Sequence, residues 1–275
     1  MELNNVQQVA YDAYVHALFQ SEGGLLDGRC RDRPGVIGTT DQYRVSNQVV
    51  ATQKAPQDAL TVLNMRFDPV ICTLANWSAP DFVNVFEQTD VNFPIAREVA
   101  QGIVRAVKRR GDQMKLDALD ASTTTNVIAA AATGFTFEKF QEAIQLLAAN
   151  SAGRGKICCA ISASAQYDLL QEEKITSQFY VDYKPIAGSG LDGRFVQNVE
   201  FILIPTMLEG GLPLNGATRT CFMWNHESLG YSYSDLEKTD MQWQGLYECW
   251  LINARIKAGA VAVDNSGIVK INITE

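Results

Sequence analysis

The chain is predicted to fold as an α+β protein, on three observations. Residues 219–273 read as strand after strand, set with bulky rings (Phe222, Trp224, Tyr231, Tyr233, Trp243, Tyr247, Trp250) that suit a pleated, half-buried surface. Asn92 to Leu119 carries the longest helical periodicity. Helices and strands elsewhere follow no regular βαβα order, which speaks against a doubly wound sheet.

The elements follow in chain order. Val6 to Phe19 places Val6, Val9, Ala10, Ala13, Ala17 and Leu18 on one stripe, the spacing of an amphipathic helix, with Asn4 or Asn5 as cap. From Ser21 to Thr40 the pattern fails at Gly23-Gly24, Asp27-Gly28, Pro34-Gly35 and Gly38. This reads as an irregular arm that cannot bury enough apolar surface alone. Tyr43 to Gln53 reads as a strand, and Val70 to Val85 as another, interrupted by Pro80, which marks an edge or a bulge. Lys54 to Arg66 between them makes a long hairpin with little apolar content, and an isolated hairpin is marginal in water.

In the long helix Pro94 falls in the first turn. Ile95, Val99, Ile103, Val107, Gly111, Met114 and Ala118 line one face, and Glu98, Gln101, Arg105, Lys108, Asp112 and Lys115 the other. Phe137 to Ala149 is a second helix with Thr136 as N-cap, and Phe137, Phe140, Ile144 and Leu147 inward. Lys156 to Ile161 is a buried strand that leads into a third helix near Ser164 to Glu173. Phe195 to Pro205 is a further strand. Ala260 to Val263 and Ile268 to Ile271 flank Asp264-Asn265-Ser266-Gly267, which signals a hairpin.

The chain has 275 residues, which suits one large domain or two closely packed ones. Its formal net charge of -8 argues against bulk attraction to nucleic acid, although a protein that holds polyanions without sticking to them is also acidic. The six cysteines show no C-x-x-C spacing, and His16 and His226 are the only imidazoles, so a zinc site is not expected. The first residues lack the basic and apolar runs of a signal peptide, and no apolar stretch is long enough to span a bilayer. These features point to synthesis in a reducing cytoplasm.

Each candidate motif has a plainer reading. Gly188-Ser189-Gly190-Leu191-Asp192-Gly193 matches G-x-G-x-x-G, but a strand follows it where dinucleotide binding needs a helix, so it reads as a glycine-rich turn. Cys158 and Cys159 precede a helix, where a thiolate with His226 as base would make a cysteine-dependent hydrolase. The plainer reading is two small residues in a buried strand. His226 beside Glu227 reads as a hydrogen-bonded strand end more than as an acid–base pair. Arg105, Lys108, Arg109, Arg110 and Lys115 make the long helix locally basic. That run is a solvated face, a dock for a neighbour's carboxylates, or a contact to phosphate charge.

Taken in order, the arm, hairpin, long helix, α/β body and returning strands resemble the tailed-phage major capsid proteins, whose Hong Kong 97-type fold is shared with encapsulins. Gly190 to Pro205, Leu212-Pro213, Trp224 to Gly230 and Gly259 to Asp264 are similar to stretches of that family, and the likeness runs from about Val36 to Ile273. It implies an N-terminal helix and arm at 1–41 and an extended hairpin loop at 42–88. A peripheral domain with a spine helix follows at 89–126 and 246–275, and an axial α/β domain at 127–245. It further implies a homo-oligomeric icosahedral shell of hexamers and pentamers around double-stranded DNA held without sequence specificity. A portal comes with it, as does a separate scaffolding protein unless the chain is a mature form, and no cofactor, metal, catalytic residue or membrane. The subunit-interface residues expected on this resemblance are Lys54, Pro56, Arg66, Arg105, Lys108 and Arg109, with the hairpin lent to one neighbour and the arm from Gly23 to Thr40 lying across another. The location implied is the virion capsid, after synthesis in the host cytoplasm. The chain departs from members that carry a long charged N-terminal scaffolding segment. An encapsulin-like cargo compartment, a tail or head-completion ring and the cysteine hydrolase are the rival readings.

Overall fold

The computed structural model describes residues 22–57, 59, 60, 62–84, 95–172, 191–193 and 195–275, with the backbone alone for 235–238. The expected N-terminal helix and residues 188–190 of the glycine-rich motif lie outside the described residues. In chain order the elements are β1 (Arg31–Arg33), β2 (Thr40–Ser46), β3 (Phe67–Thr73), β4 (Ala75–Asn84), α1 (Ile95–Asp120), β5 (Val127–Ile128), α2 (Phe137–Ala149), β6 (Ile157–Ile161) and α3 (Ala163–Gln171). They continue with β7 (Phe195–Val196), β8 (Val199–Leu203), β9 (Leu214–Asn215), β10 (Thr218–Asn225), β11 (Leu229–Gln244), β12 (Cys249–Ala262) and β13 (Ile268–Thr274).

A seven-stranded mixed sheet, in the order β5-β13-β10-β6-β8-β7 with β9 beside β10, forms the larger body. Every residue of β6 is buried, the continuous apolar run of a strand covered on both faces. Phe140 of α2 meets Phe201 of β8 at 5.3 Å between ring centroids, and both rings are fully buried. Thr136 caps α2 by accepting from Lys139 N, and Ser162 caps α3 by accepting from Ala165 N. Lys139 is nearly buried, and its ammonium donates to the carbonyls of Ala130, Thr133, Gly134 and Asn272. These bonds tie α2 and the loop before it to β13.

A four-stranded sheet, β1-β11-β12-β4, forms the second layer, with α1 packed across it. Alternate residues Ile252, Ala254, Ile256 and Ala258 of β12 are buried, as are Ile103, Val107 and Met114 of α1. β4 is an edge strand, which is where Pro80 is tolerated. The last turn of α1 holds no basic residue. Lys270 of β13 fills that role by donating to Asp120 O (2.5 Å) and Ser122 O (3.0 Å).

Several expectations are corrected here. No hairpin joins β12 to β13. The chain leaves one sheet at Ala262, turns through Asn265–Gly267, and enters the other, because Ile268, Val269, Ile271 and Ile273 are all fully buried there. β11 pairs with β12, while β13 pairs with β10. The strand expected at Val70 to Val85 is two strands broken at Leu74, and Phe195 to Pro205 is a tight hairpin. Gln197 and Asn198 turn it with φ of 49° and 66°, the left-handed pair of a two-residue turn. Asp112 and Lys115, placed on the solvent face of the helix by periodicity, are 2% and 1% exposed.

Candidate subunit interface

The hairpin is built from β2 and β3, which pair from Thr40 with Thr73 to Ser46 with Phe67. Asn47 extends the ladder by one step, donating its N–H to Arg66 O (3.2 Å) and accepting from Arg66 N at its side-chain oxygen (2.8 Å). Residues 48–65 make the tip, where Lys54 and Pro56 are exposed, as Arg66 is at its base. The apolar content is larger than expected and faces outward. Leu60 is 80% exposed and Phe67 62%, with Val50, Val62, Met65 and Ile71 also exposed.

The stem is anchored as firmly as the tip is bare. Tyr43 is fully buried and lies against Gly230 of β11, so closely that a Cβ there would come within 2.6 Å of the ring. Its hydroxyl meets Ser232 Oγ at 2.9 Å, and Ser232 donates to Asp41 Oδ2 at 2.7 Å. The Arg33 guanidinium stacks over the Tyr43 ring at 4.2 Å and pairs with Asp41 at 3.2 Å. Burial works to raise the Asp41 pKa, but the Ser232, Gln42 and Arg33 contacts outweigh it and hold the carboxyl below its usual range. Cys72 and Val263 complete a small apolar cluster beneath Tyr43, separate from the main core. Sequence reasoning missed this stem. A glycine inside a strand is the one signal that marks a close backbone approach, and Gly230 is that glycine.

From Glu22 to Val36 the arm is folded onto its own body. Leu25 N and Leu26 N donate to the Asp112 carboxylate at 3.0 and 3.1 Å, and Lys115 pairs with Asp27 at 2.5 Å. Arg29 pairs with Glu200 at 2.7 Å, and Trp224 Nε1 donates to Arg29 O at 2.9 Å. β1 then pairs in parallel with β11, and Val36 N donates to Tyr233 O. Leu26 and Cys30, each 1% exposed, plug the main core. The gaps in sequence periodicity concealed this, because the arm is held by backbone donors and charges.

The basic run on α1 is divided by the fold. Lys115 is buried among Asp27, Asp112 and the Tyr231 ring. Arg110 stacks on Trp77 of β4 at 3.7 Å and reaches Glu209 at 3.6 Å. Lys108 and Arg109 are half-buried beneath Gly23, and Arg105 pairs with Glu22 at 3.6 Å. Arg105 and Lys108 line one open groove of about 370 Å³ with Arg97, Ala100 and Val104. The structure thus sorts the six expected interface residues into two groups, Lys54, Pro56 and Arg66 on the hairpin and Arg105, Lys108 and Arg109 on the helix, and they form no single cluster within one chain.

The cysteine reading fails on physical grounds. Burial pushes Cys158 up to about 11, with Glu200 adding to the effect, and drives Cys159 well above the usual thiol range. A nucleophilic cysteine needs the opposite shift. Neither thiol hydrogen-bonds His226, whose Nδ1 lies 3.6 Å from Glu227. All six cysteines are free and buried. We therefore expect native protein to resist a maleimide at neutral pH and to label fully only in denaturant. Rapid labelling of one native thiol, rising with pH below 8, would contradict this environment.

Residues 3–275 match the family model described as phage capsid protein. The chain belongs to the phage capsid protein family. This capsid protein is a structural subunit of the phage head shell and not an enzyme. It has the fold of the capsid of cyanophage P-SCSP1u, with a TM-score of 0.74 at 12% identity over 95% of this chain and 91% of that one. The head structure of Helicobacter pylori bacteriophage KHP40 is similar at a TM-score of 0.73 and 9% identity, covering 100% and 98% of the two chains. The capsid of a native GTA particle gives 0.68 at 12% identity, covering 95% and 93%. No curated protein sequence matches the chain. The expected α+β capsid fold is thereby established.

Proposed function

We propose that this capsid protein closes an icosahedral head of hexamers and pentamers around double-stranded DNA of a tailed bacteriophage. A separate scaffolding protein guides assembly and a portal occupies one vertex, after synthesis in the host cytoplasm. DNA is held without sequence specificity, in keeping with the net charge of -8, which avoids tight adhesion to the packaged polyanion. Within the subunit, the four-stranded sheet with α1 serves as the peripheral domain and the seven-stranded sheet as the axial domain that rings an axis.

One observation carries this reading. The hairpin is clamped at its stem, while its tip leaves Leu60, Val62, Leu63 and Met65 exposed. Such a lever is stable in water only when a neighbour covers it. Lys54, Pro56 and Arg66 present the hairpin to the next subunit, and Arg105, Lys108 and Arg109 offer the cationic face it meets. The contact is heterologous, and it gives a closed ring where the rotation between neighbours closes.

Removing Lys54 to Leu63 is the test. We expect folded subunits with an unchanged thermal midpoint that form no shells in negative-stain images. Closed shells of normal size from that variant would refute the hairpin's role.

A further inference from the structure

The arm has two ends, and each holds a different part of the molecule. Its first residues are latched to α1, through Leu25 N and Leu26 N on the Asp112 carboxylate and through Asp27 on Lys115. Its last residues, in β1, hold the hairpin stem. Arg33 donates to Asp41 Oδ1 at 3.2 Å and to Gln42 O at 2.8 Å, and the Tyr43 hydroxyl lies 3.3 Å from Arg31 O. The covalent path from β1 to β2 is a looser link. Residues 34, 35 and 37–39 are exposed, and Gly35 and Gly38 have φ of 73° and 109° with no described atom within 4 Å of a Cβ built on either. Backbone of that kind transmits little, so the side chains of Arg33 and Tyr43 are what join arm to hairpin. The arm sinks two apolar side chains, Leu26 and Cys30, fully into the core, and most of its remaining hold is hydrogen bonds and ion pairs.

We propose that residues 22–33 form a strap whose seat on α1 sets the direction of the hairpin. While Asp112 and Lys115 hold the strap, Arg33 stays fixed against Asp41, Gln42 and the Tyr43 ring, and the stem stays down on Gly230. When the strap lifts, Arg33 leaves with it. Asp41 and Gln42 O then lose their cationic partner, and the stem keeps only its contacts to β11 and β12. Asp112 and Lys115 are positioning residues in this device, since neither touches the hairpin in any contact described above. They act through Asp27, Leu25 and Leu26, then through the pairing of Arg31–Arg33 with Gly230–Ser232. The coupling runs through a contiguous chain of bonds and is reciprocal, so a force on the hairpin also bears on the latch. A second copy pressing on the strap would in this way turn the hairpin.

Two native thiols report the two ends. Cys30 lies in the strap and Cys72 in the stem beneath Tyr43, each 1% exposed. Maleimide labelling of the full-length chain, read site by site by peptide mass spectrometry, follows both at once. Asp112→Asn is expected to speed labelling of Cys30 and of Cys72 by roughly tenfold or more, the scale of one lost charge-assisted hydrogen bond. Cys159 and Cys221, buried in the larger sheet, should stay protected. In an Arg33→Gln background the same substitution should still speed Cys30 but leave Cys72 where Arg33→Gln alone puts it, a pattern that general loosening does not produce. Faster Cys30 with unchanged Cys72 in Asp112→Asn would overturn the proposal, as would equal acceleration of Cys72 with and without Arg33. Asp112→Ala removes both acceptor oxygens, and silence of both thiols in the two Asp112 variants would show that the latch does not hold the strap. Should those variants label at all six thiols and so prove unfolded, Arg33→Gln alone decides: faster labelling of Cys72 supports the strap, and an unchanged rate overturns it.

Discussion

Lys115→Met is expected to destabilise the subunit by about 3–5 kcal/mol, because it removes one partner of a buried ion pair and leaves the other charged. Lys115 is 1% exposed and Asp112 2% exposed, and Asp27 leans on the same ammonium. Burial raises the Asp112 pKa and Lys115 pulls it back, so the variant holds a carboxyl that favours its proton still more strongly. The sign of the pH dependence follows. A carboxyl whose folded pKa lies above its unfolded one gains stability as pH falls through the folded value and stops gaining below the unfolded one. The deficit of Lys115→Met should therefore be largest near neutral pH and shrink on acidification. Because Asp112 also holds Leu25 N and Leu26 N, the arm should loosen with it. Denaturant unfolding at several pH values, with limited proteolysis at Arg29 to Arg33, measures both effects. A deficit that does not change between pH 7 and pH 4.5 would show that Asp112 is not left charged.

Tyr43→Ala is the second large effect, also about 3–5 kcal/mol by the usual loss for truncating a fully buried aromatic side chain. Its outcome should differ in kind. Tyr43 belongs to the small cluster with Cys72 and Val263 and not to the main core. The two sheets should therefore stay folded while the hairpin loses its fixed direction. Shell yield should fall far more than the far-ultraviolet dichroism signal. Gly230→Val probes the same joint from the other side, since any Cβ at residue 230 collides with the Tyr43 ring. Overpacking of this kind costs about 1–3 kcal/mol. Normal shells from both variants would mean that the stem does not set the hairpin.

Much of the fold was legible in the residues themselves. The period of the long helix, the N-caps at Thr136 and the run of small and apolar residues in β6 are local signals, and local structure answers to them. Pro80 marked an edge or a bulge, and the structure puts it in the edge strand β4. The order of arm, hairpin, helix, body and returning strands led to the capsid family, which the family match then established.

Tertiary structure alone decided the rest, and the reason is the same at each place. Asp264 to Gly267 has the composition of a hairpin turn, yet β13 goes to the other sheet because four of its apolar side chains find a deeper core there. Asp112 and Lys115 read as solvent-facing because periodicity cannot show that an arm eighty-odd residues earlier brings donors and a carboxylate to cover them (|i−j| of 86 to 88). The arm itself looked unable to fold at home because hydrogen bonds and charge pairs leave no trace in an apolar pattern. Sequence by itself determined which segments could be helix or strand and which family they compose. Only the assembled molecule decided which polar groups are buried together, since that depends on partners far apart along the chain.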